Sequence, residues 1–203
     1  MARPNVGVLA LQGDVAEHIA ALARVDAEGI PVKTVAHLER VDALVIPGGE
    51  STTVMKLIER FGLADTIRRR VAAGMALWGT CMGLIVAAHD VAGVDQATLD
   101  LLDVTVRRNA FGRQNESAEV DLAIPALGAA PFPAIFIRAP WIERVGPGVQ
   151  ALAKRDGHVV MVRQGRVLGT SFHPELSADG RVHRYFLSML HGDQRIGKAS
   201  TAA

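Results

Sequence analysis

Along the first hundred residues, short apolar runs alternate with apolar positions at helical spacing. Asn5 to Leu11 (NVGVLAL) is apolar at both parities, as expected of a central parallel strand covered on both faces. Gln12-Gly13-Asp14 reads as a turn with Asp14 as N-cap. Val15, Ile19, Leu22 and Val25 then recur at helical spacing, and Gly29 ends that helix. Pro31 to Val35 reads as a second strand and Ala43 to Ile46 as a short buried third. After Pro47-Gly48-Gly49-Glu50, Ser51 or Thr52 is placed to cap a helix whose apolar face is Val54, Leu57, Ile58 and Phe61, stopped by Gly62. Leu63 to Ala73 predicts another helix, Met75 to Trp78 a buried strand, and Leu84 to Ala88 a buried helix. This alternation predicts an α/β fold, a mostly parallel sheet with helices on both faces.

The second half changes character. Leu102 to Arg108, Ala118 to Ile124, Ala134 to Arg138, Val149 to Lys154, His158 to Arg163 and Arg166 to Ser171 are short strand-like runs. Gly and Pro turns such as Gly146-Pro147-Gly148 separate them, which predicts a mixed extension of the sheet with hairpins. A last helix from about Asp179 puts Val182, Tyr185, Phe186, Met189 and Leu190 on one face. Nothing reads as an interdomain linker, so residues 1–191 are expected to form one domain. Residues 192–203 are small and polar and are expected to form a flexible tail.

A chain of 203 residues, 49% hydrophobic and 21% charged, has the make-up of a soluble globular domain. A net charge of +1 gives no electrostatic case for nucleic acid or an anionic membrane. No stretch approaches the roughly 20 apolar residues of a membrane span, and no signal peptide is read at the N-terminus. A single cysteine excludes an internal disulfide and a multi-cysteine metal site, and it suits a reducing, cytoplasmic setting.

That cysteine carries the chemistry. Cys81 stands in Gly79-Thr80-Cys81-Met82-Gly83, between the buried strand and the buried helix. A sharp strand-to-helix turn needs residues without bulk beside its apex and holds the apex side chain exposed and strained, as in the nucleophile elbow of serine hydrolases. The helix N-terminus favours a thiolate there, and the N–H of Met82 is free to hold an oxyanion. A small buried core residue is the competing reading for Cys81. Phe172-His173-Pro174-Glu175, after the last strand, shifts the balance. Glu175 is spaced to accept a hydrogen bond from one nitrogen of His173, leaving the other for a thiol, the order nucleophile, base, orienter. Gly48 and Gly49 let the backbone pass close to a ligand, and a second oxyanion donor at Gly49 fits better than a phosphate loop, since no lysine follows.

These motifs together resemble the class I glutamine amidotransferases. More narrowly, the chain is similar to the glutaminase-subunit family of bacterial pyridoxal 5′-phosphate synthase. The finer likeness rests on Gly7-Val8-Leu9-Ala10-Leu11-Gln12-Gly13 with Glu17-His18 after it; Pro47-Gly48-Gly49-Glu50-Ser51-Thr52-Thr53; Arg108-Asn109-Ala110-Phe111-Gly112-Arg113-Gln114; Phe136-Ile137-Arg138-Ala139-Pro140; and Ser171-Phe172-His173-Pro174-Glu175-Leu176. Two positions depart from the family pattern: Met82, where alanine is usual, and Ala118, where phenylalanine is common.

The resemblance implies a three-layer fold of that superfamily, with Cys81 as nucleophile, His173 as base and Glu175 as its orienter. It implies glutamine-binding positions at Gly48, Gly49, Glu50, Arg108, Ile137 and Arg138. Glu50 and Arg108 or Arg138 are then expected to meet the charged ends of L-glutamine, with the assignment of ends left open. The implied reaction releases glutamate and ammonia without metal or cofactor on this chain. Ammonia would pass to a synthase (lyase) subunit that builds pyridoxal 5′-phosphate from a pentose phosphate and a triose phosphate. The alternatives are the glutaminase of another pathway, such as imidazole glycerol phosphate synthase, a cysteine peptidase or chaperone on a similar elbow, and a regulatory subunit with a vestigial site. His18 reads as lying off the apolar stripe of the first helix, with a partner-facing role as the lesser option. His37, His89, His158, His183 and His191 show no metal-ligand spacing.

Overall fold

Successive side chains of the central strands feed two different cores. The computed structural model of the chain describes residues 3–108 and 117–191; the stretch 109–116, with most of the Arg108–Gln114 run, and the tail 192–203 lie outside the described residues. In β3 (Ala43–Ile46), Ala43 and Val45 point into one core while Leu44 and Ile46 point into the other. In β4 (Ala76–Thr80), Ala76 and Trp78 share the first core and Leu77 the second. Strands apolar at both parities are buried on both faces because a strand turns its side chains up and down alternately.

The helices covering one face are α3 (Ser51–Arg60), α4 (Leu63–Ala72) and α5 (Met82–Ala87), through Val54, Ile58, Leu63, Ile67 and Leu84. The other face is covered by α1 (Val15–Ala23) and α6 (Arg181–Ser188), through Leu22, Val182 and Phe186. Phe132 and Phe136 of a small antiparallel pair, β7 (Ser117–Leu122) with β8 (Phe132–Ile137), join this same core, the one that holds Trp78. The result is three layers.

The remaining strands are β1 (Asn5–Leu9), β2 (Glu28–Val32), β5 (Ala88–Val91), β6 (Leu102–Arg107), β9 (Trp141–Val145), β10 (Gln150–Arg155), β11 (His158–Gln164) and β12 (Val167–Thr170). The main sheet runs β2-β1-β3-β4-β12-β11-β9-β6-β5, with β10 on β11. From β2 to β12 all pairings are parallel; β12 to β11, β11 to β9 and β9 to β6 are antiparallel. Among the described residues no helix is long and apolar enough to cross a membrane.

Several boundaries differ from the sequence reading, each for a local reason. The first helix stops at Ala23, and Asp26 at φ 59° makes the turn, so β2 runs Glu28–Val32 rather than Pro31 to Val35, with Gly29 inside the strand rather than at the helix end and Pro31 inside it rather than opening it. That strand is an edge, where a proline is tolerated. Val35 opens a short helix, α2 (Val35–Leu38), capped by Thr34. Asp14 occupies the N-cap position of α1 but makes no capping hydrogen bond. Neither Ser51 nor Thr52 caps α3; Glu50 does, accepting from the Thr53 N–H at 2.8 Å. The strands β5 and β9 were not anticipated, and the last helix begins at Arg181 rather than Asp179.

Candidate active site

One residue makes the reversal from β4 into α5, and it is Cys81, at φ 49° and ψ −106°. A non-glycine residue in such a conformation stores about 1–3 kcal/mol and persists only where its surroundings over-determine it. Here the Cys81 N–H is fixed on the Thr170 carbonyl at 2.7 Å. The flanking glycines are required by backbone contact: a Cβ on Gly79 would stand 2.3 Å from the Gly83 carbonyl oxygen, and one on Gly83 would stand 1.9 Å from that of Ile46. The thiol is 8% exposed and lies 3.7 Å from the Ile137 carbonyl oxygen, on a pocket wall.

β12 brings the histidine to the thiol. It pairs in parallel register with β4, Thr170 opposite Thr80, so the chain leaves the sheet beside the elbow. His173 is then anchored by its N–H on the Ile135 carbonyl at 2.8 Å. A 3-10 turn over Pro174–Leu176 folds Glu175 back, with Oε1 2.7 Å from His173 Nδ1. Asp14, released from capping, places Oδ2 3.4 Å from the same nitrogen. Burial works to lower the basicity of His173, but hydrogen bonds with Asp14, Cys81 and Glu175 overcome it and raise the group far above its usual range. Burial pushes Glu175 up as well, against the pull of His173. The proton of the pair therefore rests on the imidazole at neutral pH. Asp14, His173 and Glu175 offer ligand atoms within 4.8 Å of one another, but a cation there would have to displace the proton that Glu175 accepts.

Behind Glu175 lies His18, and the sequence reading of it needs correction. It is fully buried on the inward face of α1, its Nε2 3.1 Å from Thr80 Oγ1 and 3.4 Å from Glu175 Oε2. Polar partners, not hydrophobicity, place it there, so periodicity did not find it, and a surface role is excluded. His183 is also buried, edge-on to Trp78 at 5.0 Å.

The pocket has a volume of about 370 Å³ and is lined by Gln12, Asp14, Gly49, Glu50, Ser51, Cys81, Met82, Ile85, Arg108, Ile137, Arg138, Pro140 and His173. Of the residues singled out from sequence, Gly48 and Glu175 are not on its wall. Gly48 packs beneath the His173 ring, where a Cβ would stand 2.5 Å from Cε1. Glu50 and Arg108 form an ion pair at 3.0 Å across the pocket. Slight burial would raise Glu50, but hydrogen bonds from the Thr52 hydroxyl and the Thr53 N–H bring it down to about 2. The guanidinium of Arg108 also meets Gln96 Oε1 at 3.0 Å, and Ser51 donates to the same oxygen at 3.2 Å. Arg138, at φ 43°, turns out of β8 into the mouth beside Ile137. Gln12 accepts from the Glu50 N–H at 3.2 Å and holds the Pro47–Glu50 loop. Sequence reasoning missed Gln12, Asp14, His18 and Gln96 as members of this site. The signal for Gln12 and His18 was their presence in the family-like stretches; for Asp14 and Gln96 there was none.

The model of the SNO glutamine amidotransferase family matches residues 8–192. The chain is similar to the pyridoxal 5′-phosphate synthase subunit PdxT of Acidothermus cellulolyticus, 52% identical over 201 residues, covering 96% of this chain and 97% of the relative. It is similar to the subunit of the same name from Streptomyces coelicolor, 51% identical over 193 residues, covering 94% and 96%. A crystal structure of a glutamine amidotransferase superposes with a TM-score of 0.87 at 50% identity, covering 92% of this chain and 98% of that one.

Proposed function

The chain belongs to the SNO glutamine amidotransferase family, and from that premise we propose that it is the glutaminase subunit of a pyridoxal 5′-phosphate synthase, hydrolysing L-glutamine to L-glutamate and ammonia. The observation that carries this reading is the single pocket on which Cys81, His173 and the Glu50–Arg108 pair converge, with Glu175 directly behind the imidazole.

The Cys81 sulfur, its proton held by His173, attacks the side-chain amide carbon of glutamine. The carbonyl π electrons move onto oxygen, and the backbone N–H groups of Met82 and Gly49 take that oxyanion. Met82 opens α5, where the first N–H groups have no acceptor within the helix. His173 gives its proton to the amide nitrogen, the C–N bond breaks and ammonia leaves. Neutral His173 then takes a proton from water as the water attacks the thioester. The sulfur departs and glutamate is released. Glu175, buried on Nδ1, stabilises each imidazolium.

Free glutamine is a zwitterion, and Glu50 with Arg108 offers it a ready-made counterpart. The ammonium meets Glu50, and the carboxylate meets Arg108, with Arg138 and Ile137 closing the mouth. Ammonia passes to the synthase subunit, where the lyase chemistry of the complex resides. A lone thiol nucleophile belongs in a reducing compartment, the cytoplasm. The roughly 50% identity to synthase subunits of this pathway favours it over another amidotransferase.

The test is glutamate release from glutamine by wild type and Cys81→Ala, each with and without the synthase subunit. Wild type is expected to be slow alone and faster with the synthase, and Cys81→Ala inactive in both. Turnover by Cys81→Ala would remove the nucleophile from this account, and equal wild-type rates with and without the synthase would remove the coupling.

A further inference from the structure

Glu175 is buried at both oxygens, and only one of them has a hydrogen-bond partner. Oε1 takes the His173 proton at 2.7 Å, whereas Oε2 makes no hydrogen bond of ordinary length. An ionised carboxylate oxygen without a donor is costly to bury. The polar group facing it is His18 Nε2, at 3.4 Å. We propose that His18 is a positioning residue of this site: its Nε2–H serves the second oxygen of Glu175, which keeps that carboxylate ionised and its first oxygen on His173.

The tautomer follows from the neighbours. His18 Nε2 stands between Glu175 Oε2 at 3.4 Å and Thr80 Oγ1 at 3.1 Å. A bare nitrogen would set its lone pair against a carboxylate oxygen, a repulsive contact. A protonated Nε2 is shared by two acceptors and leaves only the Nδ1 lone pair unpartnered. The ring is neutral, because burial, followed by the charges of His183 and His173, holds it well below its usual range. It is therefore a donor that adds no charge behind the carboxylate.

The position in the chain gives the contact its reach. Thr80 immediately precedes Cys81, so His18 ties the carboxylate to the strand that carries the nucleophile. Helix α1 thus meets the pair from two sides, Asp14 reaching His173 at the pocket wall and His18 reaching Glu175 below it. The titratable and charged groups around the pair are Asp14, Cys81, His18 and, one layer out, His183 with Arg24 and Arg184.

The effect on turnover rests on the glutaminase reading, so the test has a readout that does not. Cys81 is the single cysteine, and its alkylation by iodoacetamide against pH reports on the His173–Glu175 pair without glutamine hydrolysis. His18→Phe fills the space and offers no donor. Its acid limb, in alkylation and in kcat, is expected to move up by about one pH unit, with KM unchanged. His18→Gln carries an amide N–H near the place of Nε2 and is expected to return the limb towards wild type. Wild-type limbs in both variants, or equal displacement in both, would overturn the proposal. Nitrogen-15 NMR of the wild-type chain decides it independently of whether either variant folds: an Nε2–H tautomer at His18 is required, and an Nδ1–H tautomer overturns it. A limb that moves in Phe and returns in Gln, in a protein with no glutamine turnover, would leave His18 in place and sink the glutaminase reading alone.

Discussion

Asp14 Oδ2 stands 3.4 Å from His173 Nδ1, the same nitrogen whose proton Glu175 accepts at 2.7 Å. The imidazole is therefore held between two carboxylates, one buried and one at the pocket wall. The hydrogen bond to His173 in turn lowers Asp14, so the aspartate stays ionised while His173 stays charged.

Asp14→Asn should lower the pH at which His173 loses its proton. His173 is raised in the folded chain above its unfolded value of about 6.5. The stability it contributes is complete below that value and is lost as pH rises through the raised one. Removing one carboxylate brings the upper edge of that window down. The alkaline limb of kcat/KM is expected to shift to lower pH, with the acid limb held by Glu175. An unmoved alkaline limb would mean that Asp14 and His173 do not communicate in solution.

Glu50 and Arg108 satisfy each other at 3.0 Å. In the proposed binding mode glutamine would exchange that ion pair for two others, so losing one side should weaken binding without touching the chemistry. Arg108→Ala is expected to raise KM by about 10- to 100-fold, as for a charged hydrogen bond, with kcat within a few-fold of wild type. Gln96→Ala removes the group that braces Arg108 and should raise KM less. Steady-state kinetics check both, and a fall in kcat with KM unchanged would place Arg108 in the reaction rather than in binding.

Gly83 has its would-be Cβ 1.9 Å from the Ile46 carbonyl oxygen, and backbone cannot step aside as a side chain can. Gly83→Ala should push α5 off β3 and with it the elbow. The expected loss is about 1–3 kcal/mol or more, together with slower alkylation of Cys81. Denaturant unfolding and a thiol-reactivity assay on the same sample test the two consequences. Wild-type stability would show that the helix can slide at no cost.

How far the sequence revealed this molecule depends on whether a relation is local. Runs such as Ala43–Ile46 and Met75–Trp78 announce buried strands because each residue carries the signal by itself. The glycine frame of Cys81 and the two-residue spacing of His173 and Glu175 are equally local, and the structure brings all three residues together. The edge strand β2, half exposed and containing Gly29 and Pro31, has no such pattern, and its boundaries were misread. Glu50 takes over the cap expected of Ser51 or Thr52 because its longer side chain folds back onto the helix end. Asp14, His18 and Gln96 join the site only across 159, 157 and 12 positions of chain, to His173, Glu175 and Arg108 respectively. Nothing in the neighbourhoods of Asp14 and Gln96 says so, and for His18 the one local signal is the family-like Glu17-His18.

His183 sets a limit on acid stability. It is 1% exposed, edge-on to Trp78, and its Nε2 has no hydrogen-bond partner. Burial first, then the charges of Arg24 and Arg184, lower it to about 4. The sign is that of a base depressed in the folded state: the unfolded chain takes up the proton near pH 6.5, the folded chain only near 4. Stability is therefore complete above about 6.5 and falls as pH drops from there towards 4, by about 3 kcal/mol for this one group. His18, also buried and depressed, adds to the fall in the same direction. His183→Phe keeps an aromatic ring beside Trp78 and Phe186 and removes the titration. Thermal unfolding of wild type and variant across pH 4 to 7 should give a flatter dependence in the variant, with the slope that remains owed partly to His18. Parallel curves would mean that His183 is already protonated, or already exposed, in the folded protein.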